Sequence, residues 1–130
     1  MTTEQLEDIE QLARRAVACK HWRWMRGMLT KRSRVVRIKL DSTIETWNPG
    51  DWIEGLPNDA LPDLRDPATM GCLLALVREA HNAPAAYLIG TVNNEWVVHH
   101  FAEPEGYWKA VSKRQPTEAA ALVAALEAAP

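Results

Sequence analysis

The residues best suited to bind a ligand form a basic block in the first third of the chain. Residues 20–39 contain eight Lys and Arg side chains and no Asp or Glu. Trp22 and Trp24 are interspersed among them, and cations interleaved with aromatic rings are typical of surfaces that hold phosphates and stack bases. Residues 41–66 then carry seven acidic side chains against Arg65 alone. Two interpretations stay open: the acidic segment pairs with the basic block, or the basic block binds an anionic partner.

Four of the six tryptophans lie in turn-rich chain on either side of this charge boundary. A chain with six Trp and a single Phe needs indoles for packing volume, so core positions are expected for most of them. Four tryptophans in irregular segments are more than the packing of the core needs. We therefore predict that some of them line a pocket, where nearby guanidinium groups hold an anion. The predicted ligand-binding residues are Trp22, Arg23, Trp24, Arg26, Arg32, Trp47 and Trp52.

Residues that could perform catalysis or hold a metal are poorly placed. His99 and His100 are expected on opposite faces of a strand, where their rings cannot chelate one ion, and His21 and His81 have no partners at ligand spacing. The chain has no phosphate-binding loop, dinucleotide fingerprint or nucleophile elbow. No acidic pair stands out by its spacing. We therefore expect no enzymatic activity, no cofactor and no metal; an enzyme would have to use His99, His100 or the carboxylates of residues 51–66.

Three segments have helical patterns. Apolar residues at three- and four-residue spacing predict a helix from Thr3 to Ala18, with capping-box spacing between Thr2 and Gln5. Asp66 followed by proline predicts the start of a second helix that runs to about residue 80. The alanine-rich segment 116–128 predicts a third.

The remaining segments predict strands and one long loop. Residues 34–40 alternate, which places Val36, Ile38 and Leu40 on one buried face. Residues 87–92 and 95–101 flank Asn93-Asn94 and predict a hairpin with a type I′ turn, and residues 107–112 predict a further strand. Residues 41–66 predict a long acidic loop with one short strand near 44–47.

This order predicts a single domain over residues 1–130 of α+β class, with a mainly antiparallel sheet of about four strands packed against three helices.

The net charge of −2 predicts no general attraction to nucleic acid or membranes. No apolar run approaches the ~20 residues of a membrane span. The acidic N-terminus lacks the apolar core of a signal peptide, and two cysteines without metal-like spacing indicate free thiols in a reducing cytoplasm.

The segment from Leu61 to Ala80, LPDLRDPATMGCLLALVREA, resembles a segment of small uncharacterised bacteriophage and prophage proteins. The Trp-Arg-Trp-Met stretch at 22–25 and the closing residues 117–129 are similar to theirs. The order of elements resembles the phage ABA sandwich domain family, from which the chain departs by its basic residues 30–39 and its long segment 41–59. The resemblance implies phage origin and action in the cytoplasm of a bacterial host, and it implies no site residues.

Together these patterns predict a phage-encoded, non-enzymatic accessory protein that binds a host protein or a small anionic ligand. A nucleotide signal used in host defence would suit the tryptophan and arginine residues. The alternative is a nucleic-acid-binding protein that uses residues 20–39. Self-association is also expected, because the alanine-rich helix and the edge strands of a small sheet need to be covered.

Overall fold

The computed structural model describes residues 2–48, 50–57, 59–102 and 106–130. Its elements are α1 (Thr3–Ala18), β1 (Arg34–Ile38), β2 (Ile44–Asn48), β3 (Asp51–Glu54), α2 (Pro67–Ala80), β4 (Tyr87–Gly90), β5 (Trp96–Ala102), β6 (Tyr107–Ala110) and α3 (Glu118–Glu127). The chain divides into two compact units, the first formed by Met1–Val17 and Arg23–Cys72, the second by Ala18–Trp22 and Leu73–Pro130. That one domain spans residues 1–130 stays a prediction.

The first unit contains an antiparallel sheet in the order β1-β2-β3. β1 pairs with β2, but the register shifts between Val35 and Arg37, which marks a bulge. Val35 is the buried residue of β1 and pairs with Thr46, and the register places Ile38, opposite Ile44, on the same face, where it is partly exposed; Leu40 is fully exposed beyond the strand. The predicted burial of Val36, Ile38 and Leu40 on one face is therefore wrong. The bulge removes Val36 from the face of Ile38, which a strict alternation cannot anticipate, and Leu40 lies beyond the paired residues.

The acidic segment 41–66 holds two strands of this sheet. The strand predicted near residues 44–47 is confirmed as β2, and β3 follows it as a second strand that the sequence did not predict. Trp47 lies directly opposite Trp52, and Thr46, which is buried, lies opposite Ile53. All four residues of β3 are exposed.

The first two helices begin as predicted. At α1, the Thr2 amide donates to Oε1 of Gln5 at 2.9 Å and the Gln5 amide donates to Oγ1 of Thr2 at 3.2 Å, which is a reciprocal capping box. At α2, the Thr69 amide donates to the carboxylate of Asp66 at 3.0 Å, so Asp66 caps the helix.

The second unit contains an antiparallel sheet in the order β4-β5-β6. Its first hairpin closes through a bond from the Thr91 amide to the Glu95 carbonyl, with Asn94 at φ +59°. Three residues therefore lie between the closing pair Thr91 and Glu95, and only the last of them has a left-handed conformation; the predicted two-residue type I′ turn is wrong. A Cβ at Gly90 would lie 3.2 Å from the ring of its cross-strand partner Trp96, a tight contact that a glycine avoids.

The core of the second unit is built on α3, which packs against β5 and β4. Thr117 caps this helix by accepting from the Ala120 amide at 3.1 Å. Leu122, Val123 and Leu126 are buried, and the small alanines between them allow the helix to approach the sheet closely. Val97 and Val98 of β5 complete this core.

His100 lies in β5 of the second unit, where its ring centroid is 6.3 Å from that of His81. Burial, followed by the charges of Lys109 and His81, lowers the pKa of His100. The folded state thus favours the neutral imidazole, and the free energy of unfolding should fall as the pH drops from above to below the ordinary histidine range near ~6.5.

Denaturant titrations at neutral and mildly acidic pH measure this effect. The loss of stability on acidification should be smaller in His100→Gln than in the wild type. His99→Gln, on the opposite face of the same strand, serves as the matched control and should keep the wild-type loss. An equal loss in all three proteins would show that His100 does not contribute.

The fold is α+β, with three helices and two three-stranded antiparallel sheets within the described ranges. The prediction of one sheet of about four strands is wrong because β3 was not recognised and because the strands divide between two units. None of the helices that the structure describes has the length and apolar character needed to cross a bilayer.

Candidate functional site

The basic block of the first unit is folded into a short hairpin before β1. Gly27 donates to the Val35 carbonyl at 2.8 Å, Val35 donates to the Met28 carbonyl at 2.8 Å, and Leu29 forms a bridge with Arg34. At the tip, the buried Thr30 hydroxyl accepts from the Ser33 amide at 3.0 Å. This bonding holds the two intervening residues, Lys31 and Arg32, in an exposed turn. We call Lys31 and Arg32 the basic turn.

The exposed face of the first sheet presents two indole rings. Trp47 and Trp52 are cross-strand partners whose ring centroids are 5.0 Å apart at an interplanar angle of 63°, an edge-to-face arrangement. Their residues are 38% and 62% exposed, so parts of both rings are open to solvent. We call Trp47 and Trp52 the tryptophan pair.

The register of the sheet brings the basic turn and the tryptophan pair to the same end. Arg34, the first residue of β1, lies opposite Trp47, and the basic turn precedes Arg34 by only two residues. β2 ends and β3 begins one residue beyond the tryptophan pair, at Asn48 and Asp51. Two cations and two exposed indoles are thereby placed at one end of one small sheet, where backbone pairing holds the strands that carry them.

Ion pairs neutralise part of the basic block. Arg34 pairs with Asp66 at 3.1 Å, and Lys39 pairs with Glu45 at 3.3 Å and with Glu54 at 3.6 Å. The interpretation that the acidic segment pairs with the basic block therefore holds for these two cations. Within the described residues, Arg26, Lys31, Arg32 and Arg37 form no ion pair, and all four are exposed.

Arg34 and Asp66 position this end of the sheet. The guanidinium of Arg34 donates to both carboxylate oxygens of Asp66, at 3.1 and 3.2 Å, and to the Gly27 carbonyl at 2.8 Å. Thr69 donates its hydroxyl to Asp66 at 2.9 Å and accepts from the Leu29 amide at 2.8 Å. One network thus links the hairpin that carries the basic turn to β1 and to the start of α2.

The predicted binding residues are distributed over both units. Arg32 lies in the basic turn, at the same end of the first sheet as Trp47 and Trp52. Arg23, Trp24 and Arg26 belong to the first unit but precede the hairpin tip, and Trp22 belongs to the second unit. Lys31 is not among these seven residues, although it is the neighbour of Arg32 in the same turn and lies within residues 20–39, the segment of the nucleic-acid alternative. That all seven residues contact one ligand stays a prediction.

Other features of the described residues are weaker candidates for a functional site than the end of the first sheet. A cavity of about 190 Å³ in the second unit is lined by His21, Leu76, Glu79 and Ala80, and it is smaller than the ~300 Å³ of a typical small-molecule site. No group of three or more His, Cys, Asp or Glu side chains in the described ranges could hold a metal ion. The Cys72 thiol donates to the Arg26 carbonyl at 3.4 Å, and burial raises its pKa, which disfavours the reactive thiolate.

The chemistry available at the end of the first sheet is binding. Exposed indole faces can stack on planar rings, and the basic turn can donate charge-assisted hydrogen bonds to phosphate oxygens. The surface is an open sheet face, which cannot enclose most of a small ligand as a pocket does. It suits a ligand that extends over the surface.

Comparison with protein families, with curated proteins and with solved structures finds nothing that matches this chain. The resemblance to phage proteins and the bacterial cytoplasm as the site of action stay predictions.

Proposed function

We propose that the protein is a non-enzymatic binding module for single-stranded nucleic acid. The observation that carries this proposal is the exposed tryptophan pair on the same end of the first sheet as the basic turn. Successive bases would stack on Trp47 and Trp52, while Lys31 and Arg32 would contact the phosphates between them.

The openness of the surface favours this ligand over a mononucleotide. A single nucleotide gains affinity from enclosure, whereas a strand gains it from several stacked bases and phosphates along an open face. The local charge is compatible with such a strand, because Lys39 pairs with Glu45 and Glu54 on the same face and leaves one net negative charge there, whereas the two positive charges of the basic turn form no ion pair within the described residues.

Binding of fluorescently labelled oligothymidylate and oligouridylate of about 12 nucleotides tests the proposal by anisotropy over a range of salt concentrations. Two phosphate contacts predict that log K falls with log salt concentration with a slope of about −1.4, since each contact on a single strand contributes ~0.7. Absence of binding at low salt would overturn the proposal. Equal affinity for a mononucleotide would also overturn it and would favour the small-ligand alternative.

Charge reversal of the basic turn should weaken this binding and remove most of its salt dependence. The variant is Lys31→Glu together with Arg32→Glu, and it is expected to lose about tenfold or more in affinity at low salt, because two attractive phosphate contacts become repulsive. Lys113→Glu with Arg114→Glu is a matched control, since these residues are also an adjacent, exposed Lys-Arg pair but lie in the second unit. If both double variants lose affinity equally, the basic turn is not the contact site.

A further inference from the structure

Each unit ends its sheet with a strand of the same kind. β3 in the first unit and β6 in the second are outer strands of four residues, and all residues of both strands are exposed. Both carry large apolar side chains, Trp52 and Ile53 on β3 and Tyr107 and Trp108 on β6. Exposed apolar edge strands of this kind are templates for pairing with another strand.

The pairing with β2 determines which backbone N–H and C=O groups of β3 are bonded and which point away from the sheet. The Gly55 amide donates to the Ile44 carbonyl, so residues 44 and 55 form a hydrogen-bonded pair. In an antiparallel ladder such pairs alternate with non-bonded pairs. Trp52 is therefore in a non-bonded pair with Trp47, and its backbone N–H and C=O point away from β2, towards the open edge.

The same argument shows which backbone groups of β6 point away from β5. The Val111 amide donates to the Val98 carbonyl at 2.9 Å, which makes residues 98 and 111 a hydrogen-bonded pair. Counting along the register, Phe101 and Trp108 form a non-bonded pair. The backbone N–H and C=O of Trp108 thus also point towards an open edge.

The side chains of the two edges are complementary in one antiparallel register. With Trp52 set opposite Trp108, the neighbouring pairs are Asp51 with Lys109 and Ile53 with Tyr107. This register combines an ion pair, an aromatic pair and an apolar pair, each of which stabilises antiparallel strands. Glu54 then meets Gly106, which precedes β6, and Ala110 meets Gly50, which precedes β3; the backbone groups at these positions point outward like those of Trp52 and Trp108.

Pairing of like edges is less favourable. β3 carries two acidic residues, Asp51 and Glu54, so two copies of β3 would bring four negative charges together. Two copies of β6 would bring two Lys109 side chains together without an acidic partner in either strand. Only the unlike edges combine opposite charges.

We propose that the protein self-associates by antiparallel pairing of β3 of one chain with β6 of a second copy. This junction does not require the nucleic-acid proposal, because it uses the backbone edges of β3 and β6 and not the basic turn, although Trp52 belongs to both surfaces. It would also place Trp47, Trp52 and the second copy's Trp108 and Phe101 in one row across four strands, since direct cross-strand partners lie on the same face.

Sedimentation equilibrium without nucleic acid tests the proposal, from low micromolar to submillimolar protein concentration. The wild type is expected to approach the mass of two or more chains. Asp51→Lys and Lys109→Asp should each weaken association by about tenfold, because an opposite-charge pair becomes a like-charge pair. The double variant Asp51→Lys/Lys109→Asp should restore it.

Mixing the two single variants makes the test specific for unlike edges. The lysine at position 51 of one variant meets the aspartate at position 109 of the other, so the mixture should associate more strongly than either variant does alone. Circular dichroism confirms that each exposed substitution leaves the fold intact. A wild type that stays monomeric at the highest concentration would overturn the proposal, as would single variants that associate like the wild type or a mixture that stays monomeric.

Discussion

Replacing Trp47 and Trp52 together with alanine is expected to lower the affinity for single-stranded nucleic acid by about 30-fold or more. Stacking of a base on an aromatic side chain contributes ~1–3 kcal/mol, and each 1.4 kcal/mol corresponds to a factor of ten in affinity. The loss should be nearly independent of salt, because stacking does not release counterions. It differs in this respect from the loss produced by charge reversal of the basic turn.

Anisotropy titrations of the single and double variants measure this effect. Trp108→Ala is the matched control, because Trp108 is also a half-exposed indole, 46% accessible, on an outer strand but belongs to the second unit. The titrations use protein concentrations below those at which the chain self-associates. If Trp108→Ala loses as much affinity as Trp52→Ala, stacking is not localised at the tryptophan pair and the proposed surface is wrong.

The parts of the fold that could be predicted are those specified by local chemistry. Capping residues fixed the starts of α1 and α2, because Thr2 and Asp66 satisfy backbone amides within three residues of themselves. The antiparallel hairpin of β4 and β5 followed from alternating residues on either side of an asparagine pair. In each case the interaction lies within one short segment of chain.

The parts that could not be predicted depend on pairings between distant segments. β3 has the sequence Asp-Trp-Ile-Glu, which neither alternates clearly nor buries a residue, and it is a strand only because β2 pairs with it. The bulge in β1 placed Val35 rather than Val36 on the face of Ile38, without a sequence signal such as glycine. Arg34 and Lys39 pair with acids, whereas Arg32 pairs with none of the acids that the structure describes, and this difference depends on the register of the sheet.

The candidate site shows the same division. Residue types pointed to Trp47, Trp52 and Arg32, since exposed indoles and guanidinium groups are common in binding surfaces. Their grouping arose from the register that sets Arg34 opposite Trp47. Trp22, Arg23, Trp24 and Arg26 have the same residue types but lie outside this register, so composition alone could not separate the two sets.

The network at Asp66 should carry much of the stability of the first unit, and Asp66→Ala is expected to lower the free energy of unfolding by roughly 2–4 kcal/mol. An N-cap contributes ~1–2 kcal/mol, and a hydrogen bond to a charged group ~1.5–3 kcal/mol; the two share one carboxylate and do not add fully. Asp66→Asn should cost less, because asparagine still caps α2 but offers Arg34 no charge.

The pH dependence of this contribution follows from the same contacts. Hydrogen bonds from Arg34 and Thr69 lower the pKa of Asp66 in the folded state. Its stabilisation is therefore fully present at neutral pH and is lost as the pH falls below about 4, where the unfolded carboxylate takes up a proton first.

Urea denaturation followed by circular dichroism measures both effects. Asp59→Ala, an exposed acid of the same segment, is the control and should stay within ~0.5 kcal/mol of the wild type. If Asp66→Ala lowers the free energy of unfolding no more than Asp59→Ala does, the carboxylate does not hold the basic-turn hairpin to α2. The basic turn would then lack the rigid support on which the binding proposal depends.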